Sequence, residues 1–288
     1  MNYGFFVAFI VFTFWGLVPI FYKQLDTLDA FVVMSHRIIW SVIFLAIFLI
    51  VIGQFKKALS ELKSLKMAIN LFLCGALISG DWGLYIYMIQ KNLILETSLG
   101  YFISPLFGIL FARVFLKEKM SKLGVISIVL VLYSCLHEVF TLGSLPILSI
   151  TLALLVNFYT IIRKKVYVSS IYGFFLETLL IAPFALIYLF YIPRTLAHFD
   201  IDYLGLLLVL SGLVTLLPML GFNYATQKLS LTLLSYMQYI CPIISFLVAI
   251  FLYNEPINQD KLISFIIIFI AVALSIYDNV FKKGLKNG

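Results

Sequence analysis

Charge is scarce in this chain. Asp, Glu, Lys and Arg make up 11% of its 288 residues, while 63% are hydrophobic. Soluble domains carry about 25% charged and about 45–50% apolar residues. A water-soluble fold is excluded, because it would leave too much apolar surface wet. The same numbers exclude a disordered chain, a collagen, a coiled coil and a disulfide scaffold. Cysteine is almost missing: Cys74, Cys135 and Cys241 are isolated in apolar runs with no C-x-x-C. They form neither a disulfide framework nor a metal site, and packing is their expected role.

Enzyme signatures are missing as well. The chain has no G-x-G-x-x-G, Walker A, H-E-x-x-H or G-x-S-x-G. Asp26 and Asp29 lack the second acidic cluster that a diphosphate-metal site requires. There is no soluble segment long enough for a nucleotide-binding domain. No enzyme activity, metal or cofactor is expected. A net charge of +7 would suggest a nucleic-acid partner in a soluble protein, but here the side of the bilayer on which each charge falls matters more, and no nucleic acid is expected.

What is present is length of apolar run. Mean hydropathy is +1.11, and ten segments are long enough to cross a bilayer: Gly4–Tyr22, Phe31–Ile52, Met67–Ile89, Ser98–Leu116, Leu123–Val139, Leu145–Ile162, Ser169–Ile192, Tyr203–Phe222, Ser230–Leu252 and Gln259–Tyr277. The first lacks a basic n-region and a small-x-small exit, so it reads as a span and not as a cleaved signal peptide. Placing the loops alternately puts fifteen Lys and Arg on the face that holds both termini and four on the other, with Arg37 inside a span. By the positive-inside rule both termini are cytoplasmic.

The chain also repeats itself. A shift of 137 residues brings Tyr87, Gln90, Lys91, Ser98, Ile103, Pro105, Leu110, Ala112 and Glu118 onto Tyr224, Gln227, Lys228, Ser235, Ile240, Pro242, Leu247, Ala249 and Glu255 without a gap. Apolar bias inflates matches of Leu, Ile and Ala, but it does not place Gln-Lys, Pro and Glu in register. The unit contains five spans, an odd number, so its second copy enters the membrane from the opposite side. The fold class read here is all-α integral membrane, ten transmembrane helices in two inverted five-helix repeats, 1–141 and 142–288. Inverted repeats build many secondary transporters, with the substrate near the midplane.

Ionisable groups inside spans cost about 2.5–3.5 kcal/mol on insertion scales and face a bundle interior or a wet cavity. His36, Arg37, Asp81 and Glu177 are such groups. Arg37 lies about seven residues below one face and Asp81 about fourteen above the other; at ~1.5 Å per residue they share a height in a ~30 Å core. An Arg37–Asp81 ion pair is therefore expected. Arg37 has two roles open to it, contact with an anionic substrate group or anchoring of a gate. Glu177 occupies roughly the place in the second half that Arg37 has in the first. His36 reads as a packing residue that can titrate near neutrality. Rings and polar groups at inner positions, among them Trp15, Trp40, Trp82, Tyr85, Tyr101, Tyr159, Tyr236, Gln238 and Tyr239, are candidates for a cavity lining. Pro105, Pro218 and Pro242 each remove a helix hydrogen bond within a span, which suits a hinge, a ligand contact or a passive kink.

Several segments resemble the RarD family of the EamA-type drug/metabolite transporters. They are Phe14-Trp15-Gly16, Ser35-His36-Arg37-Ile38-Ile39-Trp40-Ser41, Ser98-Leu99-Gly100-Tyr101-Phe102, Gly143-Ser144-Leu145-Pro146, Phe158-Tyr159, Arg163-Lys164, Glu177 with Pro183, and Gln238-Tyr239-Ile240-Cys241-Pro242. The resemblance implies a bacterial inner-membrane protein with a central cavity and alternating access. Asp81 departs from the pattern, which has Asn before the Trp, and Ser104 stands where Asn precedes the Pro. The expected function is secondary transport of small organic metabolites or drugs, with the lipid bilayer and a small-molecule substrate as the partners. Ser98 joins His36, Arg37, Trp40, Asp81, Trp82, Tyr85, Tyr101, Tyr159, Glu177, Gln238 and Tyr239 as the expected binding and gating set. The competing classes are a non-transporting scaffold, a lipid-handling membrane enzyme and a channel.

Overall fold

An apolar run in lipid can satisfy its backbone groups only by coiling or by closing a barrel, and this chain coils. A computed structural model describes residues 3–90, 94–117, 122–142, 147–193, 200–252 and 259–277. Their helices are α1 (Tyr3–Tyr22), α2 (Ala30–Val51), α3 (Phe55–Ser60), α4 (Leu65–Gln90), α5 (Ile94–Phe115), α6 (Lys122–Leu142), α7 (Ile147–Lys165), α8 (Ser170–Tyr191), α9 (Tyr203–Lys228), α10 (Leu231–Met237), α11 (Ile240–Phe251) and α12 (Gln259–Ile276). No strand is formed among the described residues.

Helix ends fall where the sequence supplies partners for orphan backbone groups. Asp29 caps α2 by accepting from the amides of Phe31 at 2.9 Å and Val32 at 3.3 Å. Ser169 and Ser230 cap α8 and α10 through the amides of Tyr172 and Leu233. The other end of α2 closes in a Schellman turn. Gln54 N donates to Leu49 O, Gly53 N donates to Ile50 O, and Gly53 takes φ +69. The predicted ninth span is helix in two pieces. Pro242 has no amide for the Gln238 carbonyl, which instead accepts from Cys241 N at 3.2 Å. The ladder accordingly breaks at Gln238 and Tyr239, between α10 and α11.

Among the described residues, six helices are long and apolar enough to cross a membrane: Tyr3–Leu25, Ala30–Val51, Leu65–Met88, Ile147–Lys165, Ser170–Tyr191 and Tyr203–Lys228. Large apolar side chains such as Phe9, Ile47, Phe184, Phe190 and Leu217 lie exposed on them. That is the surface a bilayer covers, and the chain is a multi-pass membrane protein.

The described helices gather into two compact units. One comprises residues 1–17, 92–157 and 228–288; α12 packs on α6, α10 on α5, and the core includes Ile109, Val131, Ala153, Tyr236, Tyr239 and Ala271. The other comprises residues 18–91 and 158–227, with α2 and α4 packed on α8 around Ile38, Ile181, Ala182 and Ala185. Small residues permit the close approach. A Cβ on Gly212 of α9 would lie 2.6 Å from Trp40 Cβ, and one on Gly75 of α4 would lie 2.6 Å from the Glu177 carbonyl oxygen.

Candidate functional site

The second unit holds two buried charge clusters of different character. The first is built on α2, where Arg37 is 8% exposed. Arg37 Nε donates to Thr215 Oγ1 of α9 at 2.9 Å, and that hydroxyl donates onward to the Ser211 carbonyl at 2.8 Å. The Arg37 Cζ atom lies 4.7 Å from the Tyr22 ring centroid and 4.5 Å from that of Trp82. Each cation–π contact contributes about 0.5–2 kcal/mol, toward the upper end when desolvated. The guanidinium is held by one neutral hydroxyl and two rings. No carboxylate of the described residues pairs with it.

Asp81, next to Trp82 on α4, is 4% exposed, and its Oδ1 has no hydrogen-bond partner. The expected Arg37–Asp81 pair does not close to salt-bridge distance, although the two charges act on each other electrostatically. Equal height in the membrane fixes position along a helix but leaves the azimuth free. Here Trp82, and not Asp81, is the α4 residue that meets the guanidinium.

The second cluster joins α7, α8 and α9. Arg163 and Glu177 are both wholly buried, with Nε and Oε1 3.0 Å apart. The N–H does not point along that line, so the contact is Coulombic and not a hydrogen bond. Arg163 spends its terminal nitrogens on backbone. Nη1 donates to the carbonyls of Val166 and Val168, and Nη2 to those of Val168 and Ser169, at 3.2–3.3 Å. Glycine at 173 makes room for it, because a Cβ there would sit 2.7 Å from Arg163 Cζ. Tyr159 Oη lies 3.2 Å from Glu177 Oε2 and 2.7 Å from Asn223 Oδ1. A hydroxyl has one proton, and Asn223 Nδ2 has no partner. Rotating that amide by 180° lets Nδ2 donate to Tyr159 and frees the phenol proton for Glu177. Lys164 Nζ donates to the Thr226 carbonyl at 2.9 Å, completing the tie between α7 and α9.

The first unit carries a neutral polar cluster. Asn157 Nδ2 donates to Ser104 O at 2.8 Å, Ala153 O at 2.7 Å and Ser104 Oγ at 3.1 Å, sharing two protons among three acceptors. Gln238, at the helix break, donates to the same Ser104 Oγ at 3.2 Å.

The structure thus brings together Arg37 with Trp82, and Tyr159 with Glu177. His36 is buried on α2, while Trp40, at 6.0 Å between ring centroids from Phe44, is half-buried. Tyr85, Tyr101 and Gln238 are half-buried, and Tyr239 is in the core of the first unit. The side chain of Ser98 lies outside the described residues. Sequence reasoning missed Arg163, Tyr22, Thr215 and Asn223. Arg163 heads the run Arg163-Lys164-Lys165 and was counted among the loop cations of the basic face; its burial at 0% removes it from that count. Thr215 and Asn223 carried a usable signal, as polar residues about two turns apart in an apolar helix.

The model of the "EamA-like transporter family" matches residues 2–137 and again 144–277. Protein RarD of Salmonella typhimurium is 35% identical over 286 residues, covering 98% of this chain and 97% of its own. An uncharacterized transporter of Bacillus subtilis is 36% identical over 286 residues, covering 98% of this chain and 95% of its own. A solved crystal structure superposes with a TM-score of 0.74 at 14% identity, over 95% of this chain and 97% of that one, which is a likeness of fold. A family match over both halves, with relatives alike from end to end, places the chain: it belongs to the EamA-like transporter family of membrane proteins, on its RarD branch.

Proposed function

We propose that the chain is a secondary transporter moving small organic metabolites or drugs by alternating access. It would have ten membrane-spanning helices arranged as two inverted copies of one five-helix unit, 1–141 and 142–288. The observation that carries this reading is that one family model matches the chain twice, over 2–137 and 144–277, in accord with the internal repetition of Gln-Lys, Pro and Glu at a constant shift. A unit with an odd number of spans reverses direction when copied, and opposed copies give a protein two related conformations, open to opposite sides. The distribution of basic residues supports cytoplasmic termini in a bacterial inner membrane, even with Arg163 withdrawn from the loop count.

In this reading Arg37 is the substrate contact. It is buried, held in place by Thr215, Tyr22 and Trp82, with no carboxylate of the described residues within salt-bridge distance. Glu177 instead serves structure, since its two oxygens face Arg163 and Tyr159. Asp81 is a polar neighbour of the Arg37 site.

The test is flux. Purified protein in liposomes loaded with a metabolite mixture, followed by mass spectrometry, should show selective and saturable loss of a few compounds. Loss without saturation would indicate a channel. No selective flux, with or without a proton gradient, would indicate a scaffold.

A further inference from the structure

Arg37 and Arg163 are both buried arginines of one unit, and their surroundings differ in kind. Arg163 has a carboxylate at 3.0 Å and three backbone carbonyls, so its charge is balanced and its terminal donors are used. Arg37 uses Nε alone, on a neutral hydroxyl. Its two terminal nitrogens have no hydrogen-bond partner among the described residues. They are also not among the sealed polar atoms, whereas Asp81 Oδ1 is; the small exposure of Arg37 therefore includes them. A guanidinium carbon lying over two ring faces has its flat surface taken up. What stays open is the edge carrying four N–H groups, which matches a carboxylate in a two-point fork.

We propose that this edge binds the carboxylate of an organic monoanion, and that such monocarboxylates are the substrate class of the site. The proposal rests on the transporter reading above. An arriving carboxylate satisfies donors that the chain leaves open, in charge-assisted hydrogen bonds stronger than neutral ones. The Asp81 carboxylate, which acts electrostatically on Arg37, sets the second condition by repelling a further negative charge. The ligand is therefore singly charged. Inorganic phosphate has the geometry for the fork but the wrong charge beside Asp81.

The experiment uses the full chain in nanodiscs of neutral lipid, with lactate and mandelate as probes, and with lactamide, mandelamide and inorganic phosphate as comparisons. Binding is read by equilibrium dialysis and by the shift in thermal midpoint. The expected result is saturable binding of at least one acid, at least tenfold tighter than its amide and tighter than phosphate. Arg37→Gln abolishes it, Arg37→Lys restores part of it, and Thr215→Val weakens it about three- to tenfold by releasing Nε. The exposed Lys57→Gln leaves it unchanged. If Arg37→Gln does not fold, Thr215→Val and the acid-to-amide ratio decide. Equal binding of acid and amide, equal competition by phosphate, or unaltered binding in both variants overturns the proposal. So does selective liposome flux of other compounds with no acid of the panel bound, and in that case the transporter reading survives. Absence of all selective flux removes the transporter reading instead.

Discussion

The Arg163 guanidinium and the Glu177 carboxylate meet at 3.0 Å with neither side chain reaching the surface, which fastens the last turn of α7 to the middle of α8. The arginine also donates to the carbonyls of Val166, Val168 and Ser169, so it organises the turn that joins the two helices. The carboxylate balances its charge.

That division of labour orders two substitutions. Glu177→Gln leaves a buried cation without its counter-charge, and breaking such a pair from one side costs about 3–5 kcal/mol. Arg163→Met leaves a buried anion and, in addition, three carbonyls without their donors. Both variants should unfold at a lower temperature in detergent, Arg163→Met at the lower of the two. The double variant should not recover wild-type stability, because the carbonyls remain orphaned.

Gly173→Ala should be among the more damaging single-methyl changes in the chain. Its Cβ would collide with the planar guanidinium of Arg163, which is pinned by four hydrogen bonds and an ion pair. Overpacking of this kind costs about 1–3 kcal/mol. Gly53→Ala is the comparison, since nothing surrounds that position and its cost is the left-handed backbone alone, about 1–2 kcal/mol. Thermal midpoints of the two variants, with Glu177→Gln as a third, distinguish steric from backbone cost. In the Glu177→Gln background the guanidinium has lost one restraint, so Gly173→Ala should cost less there.

Tyr159 and Asn223 should prove coupled. Tyr159→Phe removes the hydroxyl at 2.7 Å from the Asn223 amide and 3.2 Å from Glu177. It leaves buried groups unsatisfied at about 1–3 kcal/mol. Asn223→Ala removes the same bond from the other side. A double-mutant cycle on thermal or denaturant stability should return a coupling of about 0.5–3 kcal/mol; a value near zero would show that no hydrogen bond joins the two side chains.

The break between α10 and α11 has one cause that can be removed. Pro242→Ala returns an amide to the Gln238 carbonyl, which now has only the shorter-range bond from Cys241. The helix should straighten through Gln238 and Tyr239, and their amides should exchange more slowly. If the break is used in the transport cycle, flux falls while thermal stability rises; a passive kink would give the stability change alone.

The helices were legible because apolar runs of bilayer length leave few alternatives. Six of the predicted segments correspond, among the described residues, to helices long and apolar enough to cross a membrane, and the ninth is interrupted before Pro242 as proline chemistry requires. Buried ionisable groups were legible as well: His36, Arg37, Asp81 and Glu177 are all buried. Their partners were not. Arg163 sits in a run of three cations that reads as a loop, and only the fold of residues 166–169 turns its side chain inward. Arg37 and Asp81 share a height, yet side-chain azimuth depends on helix packing that no one-dimensional count contains. Thr215 and Asn223 lay in plain view as polar breaks in an apolar helix, but their meaning depended on which arginine and tyrosine stood opposite.

Those two residues give α9 a mechanical role. Thr215 holds Arg37 and Asn223 holds Tyr159, eight residues apart on one helix, a rise of about 12 Å. Pro218 stands between them and removes a hydrogen bond from the ladder there. Sliding the helix as a whole loads both bonds, whereas bending it at the proline loads one and spares the other. The helix thus joins the open-edged arginine to the charge pair that fixes the turn between α7 and α8, with a joint between them.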